Sequence, residues 1–419
     1  MQDKYNLFKN SIREKQTLNR ALDRYRKRLD TVEGSGQIGR GLSAASDIRR
    51  ICQRILFEEG LTYVWLVPVE TSINEYSDCN FMAYNPFSKK NYALVQSPQI
   101  QKEAAAVTVG SNFRIIDCYR GEKTDATHSN IFQQLDVEFA ERNEKDIRDI
   151  AFKMVSSCFR ELRNIDLAFP DAYSYSDLMR LYGTDSPNLC TGLRILEQNG
   201  QLTLKASPAQ ISVLKAELAD HPQVTIGTDT IRFRDGTALE CVRSLWEKLN
   251  AQLLADMDES SLYAYWIVNM PYAQKKNGTV SPVHHVMTMP REANTDFDFL
   301  RLSDEELCML ECNSFDLIIC GKYGAVEVLG GDERISSFDM QYDALARLHY
   351  SFQQYAYLLE TLHFNDTHRK SRLGGFAIGL DRLAQFISGG HDMNSVQLFP
   401  TNRTDGELFH AISAEDAED

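Results

Sequence analysis

The sequence predicts an α+β protein, and three observations carry that prediction. Residues 113–140 read as two strands joined by a polar loop, with apolar–polar alternation over 134–139. Apolar residues recur at helical spacing over 43–60, and a second helix is expected over 146–164. Further apolar strand patterns stand at 263–270 and 315–321. A chain of 419 residues, 43% of them hydrophobic, is long enough to bury a large core and to hold two or more domains.

Charge narrows the class. A net charge of −14 excludes a protein coated in basic surface for nucleic acid. One local basic patch remains, because residues 1–30 carry nine lysines and arginines against four acids. Leu18, Leu22, Tyr25 and Leu29 recur there at helical spacing, so a basic amphipathic helix is expected. It either packs on the body or a second subunit with its charges solvated, or it contacts a phosphate backbone. The glycine-rich stretch 33–41 reads as a flexible linker closing a 1–41 segment. Nine cysteines are scattered, with Cys308, Cys312 and Cys320 nearest to a cluster, and read as reduced thiols rather than zinc ligands. No apolar run reaches membrane-spanning length and no signal peptide opens the chain, so no membrane contact and a cytoplasmic location are expected. The acidic stretch 406–419 reads as a disordered tail.

The remaining elements follow in order. The helix over 43–60 leads into a strand over 61–69 that carries Pro68. A strand over 92–100 runs into Ser97-Pro98-Gln99, and Lys102 stands within one turn of the next helix. In the hairpin, Leu135, Val137 and Phe139 make a core face with Gln133. The opposite face sets Phe132, Gln134, Asp136 and Glu138 in a row, about 6.5–7 Å apart, which is poor material for a half-buried strand. Pattern alone also fits an edge hairpin with a solvated polar face. Arg120, ending the first strand, bears against that reading: its guanidinium suits bidentate contact with a phosphate. Beside it Glu122 suits an adenine amino group, and Phe132 offers a ring for a base.

The stretch resembles motif 2 of the class II aminoacyl-tRNA synthetases, in the form used by aspartyl-tRNA synthetases. Arg120, Glu122, His128, Phe132, Gln134, Asp136 and Glu138 stand in register with that pattern, while Ile131 replaces its usual Glu. Gly374-Gly-Phe-Ala-Ile-Gly-Leu-Asp-Arg382-Leu resembles motif 3 almost letter for letter, and the helix, strand and Pro68 follow the layout of motif 1, the dimerising element. Ser-Pro-Gln-x-x-Lys over 97–102 resembles the phrase that lines the amino-acid pocket. The resemblance implies that Ser97, Gln99 and Gln134 line that pocket and that Lys102 approaches the substrate's side-chain carboxylate. Arg180-x-Tyr-Gly-Thr-Asp-Ser-Pro187 resembles the phrase leading into an inserted domain. Residues 188–257 hold short strands (202–205, 224–226, 230–233) and helices (208–219, 239–254) without a catalytic pattern, as in an accessory module. His284 and His285, adjacent on an expected strand over 282–288, point apart and so do not chelate zinc together; the resemblance places both at the amino-acid pocket. Asp316 and Glu327 suit a Mg²⁺ that bridges phosphates, and the resemblance gives them that role. It pairs Arg334 with the substrate's side-chain carboxylate. Departures cluster here: Cys320 replaces Asn, the turn 322–326 is longer than the family's, and Asp332-Glu333 replaces Ser-x and adds negative charge beside Arg334.

The fold so implied is an antiparallel sheet flanked by helices, with a small inserted α/β module (188–257) between catalytic parts 42–187 and 258–405, and an N-terminal helix. An obligate homodimer is implied, with bent ATP held between Arg120 and Arg382 and contacted by Glu122, His128, Phe132 and Glu327. The implied reaction is attack by the aspartate α-carboxylate on the α-phosphorus, with Asp136 and Gln99 holding the amino group. The resemblance implies tRNA as one acceptor, held by its acceptor end and the basic helix. The anticodon-binding barrel that family members carry before the catalytic domain has no counterpart in the 1–41 segment. A paralogue passing the adenylate to ammonia, as an asparagine synthetase does, or to another acceptor, and a non-catalytic regulatory paralogue, are the alternatives.

Overall fold

The computed structural model describes residues 4, 36–70, 81–121, 128–219, 224–234, 236–276, 278–291, 297–390 and 393–397. The expected basic N-terminal helix, Glu122 and the acidic tail lie outside these residues. One eight-stranded sheet organises the chain: β1 (Thr62–Tyr63), β2 (Asn112–Tyr119), β3 (Ile131–Ala140), β4 (Asp171–Ser174), β5 (Tyr263–Val268), β6 (Ser314–Gly321), β7 (Gly324–Glu333) and β8 (Leu373–Gly379). Their order is β1-β2-β3-β8-β7-β6-β5-β4. The six strands from β2 to β5 are antiparallel, while both edge pairings, β1 on β2 and β4 on β5, are parallel. The sheet is therefore mixed at its rims and antiparallel at its centre.

Helices α1 (Gln37–Glu58), α3 (Glu144–Arg163) and α4 (Leu380–Ser388) cover one face. Ile48, Ile51 and Ile55 of α1, Met154 and Phe159 of α3, and Leu383 of α4 meet Leu135, Val137, Phe139, Leu317, Phe376 and Ile378 of the sheet in one buried core. Burial of these side chains drives the assembly, at about 1.5–3 kcal/mol for each large one. On the other face α2 (Gln99–Val109) crosses β2 and β3. The polar row of β3 is thus roofed by a helix, and the hairpin lies in the middle of the sheet rather than at its edge. Close approach of β3 and β8 needs glycine: a Cβ at Gly375 would fall 2.1 Å from the Val137 carbonyl oxygen.

The module following Pro187 forms a four-stranded antiparallel sheet, ordered 224–226, 230–233, 201–205 and 194–198, with helices Pro208–Ala219 and Leu239–Ala255. Its core joins Tyr265, Ile267 and Ile318 on the α2 side of the main sheet. Module and α2 therefore wall in the polar face from two sides.

Four local expectations are corrected. The stretch read as a linker is helical from Gln37, and Gly41 is there for contact: its Cβ would meet the Ser395 carbonyl oxygen at 2.4 Å. The strand expected over 61–69 shrinks to Thr62–Tyr63, because Val69–Glu70 leaves to join a separate three-stranded sheet. The extra residues at 322–326 lengthen β6 and β7 across a two-residue turn and form no loop. The strand expected over 282–288 ends at Pro282, so its alternation does not apply to the two histidines. Among the described residues no helix is long and apolar enough to cross a membrane.

Candidate active site

A cleft of about 700 Å³ opens on the polar face of the sheet. Thirteen of the residues singled out by sequence line it: Ser97, Gln99, Lys102, Arg120, His128, Phe132, Gln134, His284, His285, Asp316, Glu327, Arg334 and Arg382. Asp136 lies just beneath the floor, wholly buried, and Glu122 is outside the described residues. The geometry explains the convergence. α2 brings Gln99 and Lys102 over β3, the hairpin brings Arg120 and Phe132, and β6, β7 and the start of α4 bring Asp316, Glu327 and Arg382.

At one end stand the two arginines. The Arg120 guanidinium lies 5.1 Å from the Phe132 ring centroid, leaving between sheet and solvent a cation backed by an aromatic face. Arg382 NH1 donates to the Glu327 carbonyl oxygen at 3.1 Å and lies 3.8 Å from its carboxylate. Asp381 fixes the start of α4, accepting from the Gln133 backbone N–H at 3.2 Å and from Gln397 Nε2 at 2.8 Å. Both arginines face the same cleft.

At the other end is a buried ionic network. Lys102 Nζ lies 3.2 Å from Asp136 Oδ1 and 3.6 Å from Glu138 Oε2. Arg334 meets Glu138 through Nε (3.1 Å) and NH2 (3.2 Å), and pairs with Asp332 through NH1. His285 Nε2 lies 2.9 Å from Asp332 Oδ2, which also accepts from Thr288 Oγ1 at 2.7 Å. Burial works against the Asp332 charge, yet Arg334 and His285 hold its carboxyl well below the usual range. Asp136 Oδ2 is buried beneath the floor without a hydrogen-bond partner, an acceptor that lacks a donor.

The donor set of Asp316 and Glu327 fits a Mg²⁺. They stand on adjacent strands, where a Cβ on Gly330 would meet Asp316 Oδ1 at 2.8 Å and Glu327 Oε1 at 3.3 Å, so glycine keeps both carboxylates converging on one point. Asp316 Oδ1 is buried, with His284 Nε2 3.4 Å away outside good hydrogen-bond geometry. Burial first, then the Glu327 charge, push Asp316 up to about 6; against burial, Asp316 raises His284 to about 9. Among the described residues no three His, Cys, Asp or Glu side chains converge on a metal, and two carboxylates with substrate phosphates are the usual Mg²⁺ arrangement. Although adjacent in sequence, both histidine rings turn into the cleft, His284 on Asp316 and His285 on Asp332.

Two participants escaped the sequence reading. Arg114 is the cross-strand neighbour of Asp136, buried with Nε and NH1 unpartnered. Glu103 accepts from Gln99 at 2.6 Å and lies 3.9 Å from Arg334. The signals were present: Arg114 shares the strand face of the site, and Glu103 follows Gln99 by four. Burial first, then Glu138, push Glu103 up to about 8. Because its folded value exceeds the ordinary 4.5, the native state holds this proton more tightly, and stability falls as pH rises between those values. Glu103→Gln is therefore expected to flatten the decline in melting temperature between pH 5 and 8. Parallel melting curves for the two proteins would contradict the assignment.

Comparison with known proteins places the chain in a family. Residues 24–403 match the family profile described as tRNA synthetases class II (D, K and N), and the chain belongs to that family of aminoacyl-tRNA ligases. Within it the chain is similar to the aspartate–tRNA(Asp/Asn) ligase of Chlamydia muridarum, 23% identical over 91% of this chain and 74% of that protein. It is also similar to the aspartate–tRNA ligase of Streptococcus suis, 25% identical, and to the aspartate–tRNA(Asp/Asn) ligase of Aquifex aeolicus, 25% identical. For both, 74% of this chain is covered, and the chain spans 62% of their length. In fold it is similar to two asparaginyl-tRNA synthetases. That of Pyrococcus horikoshii gives a TM-score of 0.54 at 16% identity, covering 89% of this chain and 70% of that one. That of Entamoeba histolytica gives 0.55 at 14%, with the same coverage.

Proposed function

We propose that the protein activates aspartate with ATP, forming aspartyl-adenylate and pyrophosphate, and passes the aspartyl group to tRNA. The observation that supports this most is that Arg120 and Arg382, far apart in the chain, line one cleft together with Lys102 and Arg334. ATP lies with its base against Phe132, its α-phosphate beside Arg120 and its γ-phosphate beside Arg382. Gln99 and the unpartnered Asp136 Oδ2 take the amino group; Lys102 and Arg334 take the side-chain carboxylate. One α-carboxylate oxygen then attacks the α-phosphorus, the bond to the bridging oxygen breaks, and pyrophosphate leaves. Asp316 and Glu327 would hold a Mg²⁺, which supplies charge neutralisation to the phosphates. No proton need move in this step, so the chain contributes positioning and electrostatics. Aspartate-dependent ATP–pyrophosphate exchange tests the adenylate, and its absence with aspartate would overturn the reading. Charging of tRNA, set against asparagine formation with ammonium, tests the acceptor.

A homodimer completes the proposal. Phe57, Tyr63 and Trp65 are 55%, 43% and 73% exposed beside edge strand β1, and Phe57 and Tyr63 pack edge-on against Phe113. Such an apolar patch on an open sheet edge suits a second copy. Trp65→Ala is expected to weaken the dimer by about 2 kcal/mol, roughly thirtyfold, as read by sedimentation equilibrium. An unchanged monomer–dimer balance would place the interface elsewhere.

A further inference from the structure

We infer that Asp332 is a specificity-determining residue: its carboxylate sits on the Arg334 NH1 edge as an internal occupant that the substrate's side-chain carboxylate must displace. The inference rests on aspartate being the substrate. Two contacts fix Asp332 in place, the ion pair with Arg334 NH1 and the Thr288 Oγ1 hydrogen bond at 2.7 Å, while His285 Nε2 lies 2.9 Å from Asp332 Oδ2 and 2.8 Å from Arg334 NH1. The opposite edge of Arg334, Nε and NH2, is filled by Glu138. Every nitrogen of that guanidinium is therefore engaged by the chain's own groups. Lys102, the second cation of the floor, is shared between Asp136 and Glu138.

The charge balance leads to the same conclusion. The buried cations are Lys102, Arg114 and Arg334; the buried anions facing them are Asp136, Glu138 and Asp332. Burial pushes the Glu103 carboxyl up to about 8 and His285 down, so three cations face three anions, with the His284–Asp316 pair beside them. A zwitterion with an uncharged side chain enters without upsetting that balance. Aspartate brings one more negative charge into a buried, low-dielectric floor, where an uncompensated charge is costly. It must move Asp332 off Arg334 to find a partner. The consequence is weak aspartate binding and a narrow margin over asparagine. Asp332 acts through Arg334 and need not touch the reacting atoms.

The test uses the full-length protein and two substitutions, Asp332→Ser and Asp332→Asn, the second keeping the side chain's shape if the first fails to fold. KM and kcat for aspartate and for asparagine are measured by pyrophosphate exchange, and Kd for each by calorimetry. Both substitutions are expected to tighten aspartate by about tenfold or more, the scale of one charge-assisted hydrogen bond. Asparagine affinity should shift by less than aspartate affinity does. Aspartate and asparagine shifting alike, or aspartate binding more weakly, would overturn the inference. If the wild type gives no aspartate-dependent exchange, the activity proposed above fails, while the calorimetric aspartate-to-asparagine ratio still decides the role of Asp332. Absence of binding for both amino acids to all three proteins would overturn it as well.

Discussion

Arg382→Ala is expected to lower ATP–pyrophosphate exchange by about a thousandfold or more while leaving the fold intact. The size follows from what the side chain is asked to do. A fixed guanidinium aimed at a polyphosphate in a partly enclosed cleft is the kind of group whose loss costs three orders of magnitude or more in phosphoryl-transfer sites. Its position is built in advance. Gly379 caps α4, Asp381 ties the first turn to Gln133 and Gln397, and NH1 rests on the Glu327 carbonyl oxygen. The side chain is 24% exposed, and its carboxylate neighbour Glu327 is 46% exposed. A solvated pair of that sort contributes at most about 1 kcal/mol to stability, so the melting temperature should barely move. Activity and stability thus separate cleanly. Exchange retained within tenfold of wild type would mean that no triphosphate lies against Arg382.

Much of this site is legible in the sequence because its central strand obeys a period of two. Phe132, Gln134, Asp136 and Glu138 fall on one face whatever the rest of the chain does, and Leu135, Val137 and Phe139 on the other. The glycines of β8 are legible for the same kind of reason, since only a missing Cβ admits the Val137 carbonyl. What was not legible depends on tertiary placement. Alternation predicts that His284 and His285 diverge, but the strand stops at Pro282 and the irregular chain beyond it turns both rings into the cleft. Asp136 reads as a cleft-facing acid, yet α2 roofs it, and that burial is what couples it to Lys102. Arg114 looks like a routine polar residue between Phe113 and Ile115 until β3 sets Asp136 directly opposite. The glycine-rich stretch 33–41 reads as a flexible linker because composition does not distinguish a glycine needed for freedom from one needed for contact. Gly41 is of the second kind.

Arg334→Leu should have the largest effect on the amino-acid end, and it acts on stability and selectivity together. The guanidinium is 3% exposed and spans Glu138 and Asp332, both wholly buried. Removing it takes the closest cation from two buried carboxylates, and an uncompensated buried charge costs about 3–5 kcal/mol. Chemical denaturation should register that loss, and the preference for aspartate over asparagine should vanish, since the side-chain carboxylate loses its main partner. Arg334→Lys separates the two effects. Lysine keeps the charge and offsets the buried acids, but it cannot donate two parallel bonds to Glu138 while reaching Asp332. It is expected to fold with a loss of about 1–2 kcal/mol and to raise KM for aspartate by tenfold or more, with kcat less affected. A lysine variant with wild-type KM and unchanged preference would show that the substrate carboxylate is held elsewhere, and Lys102 would then be the cation to substitute next.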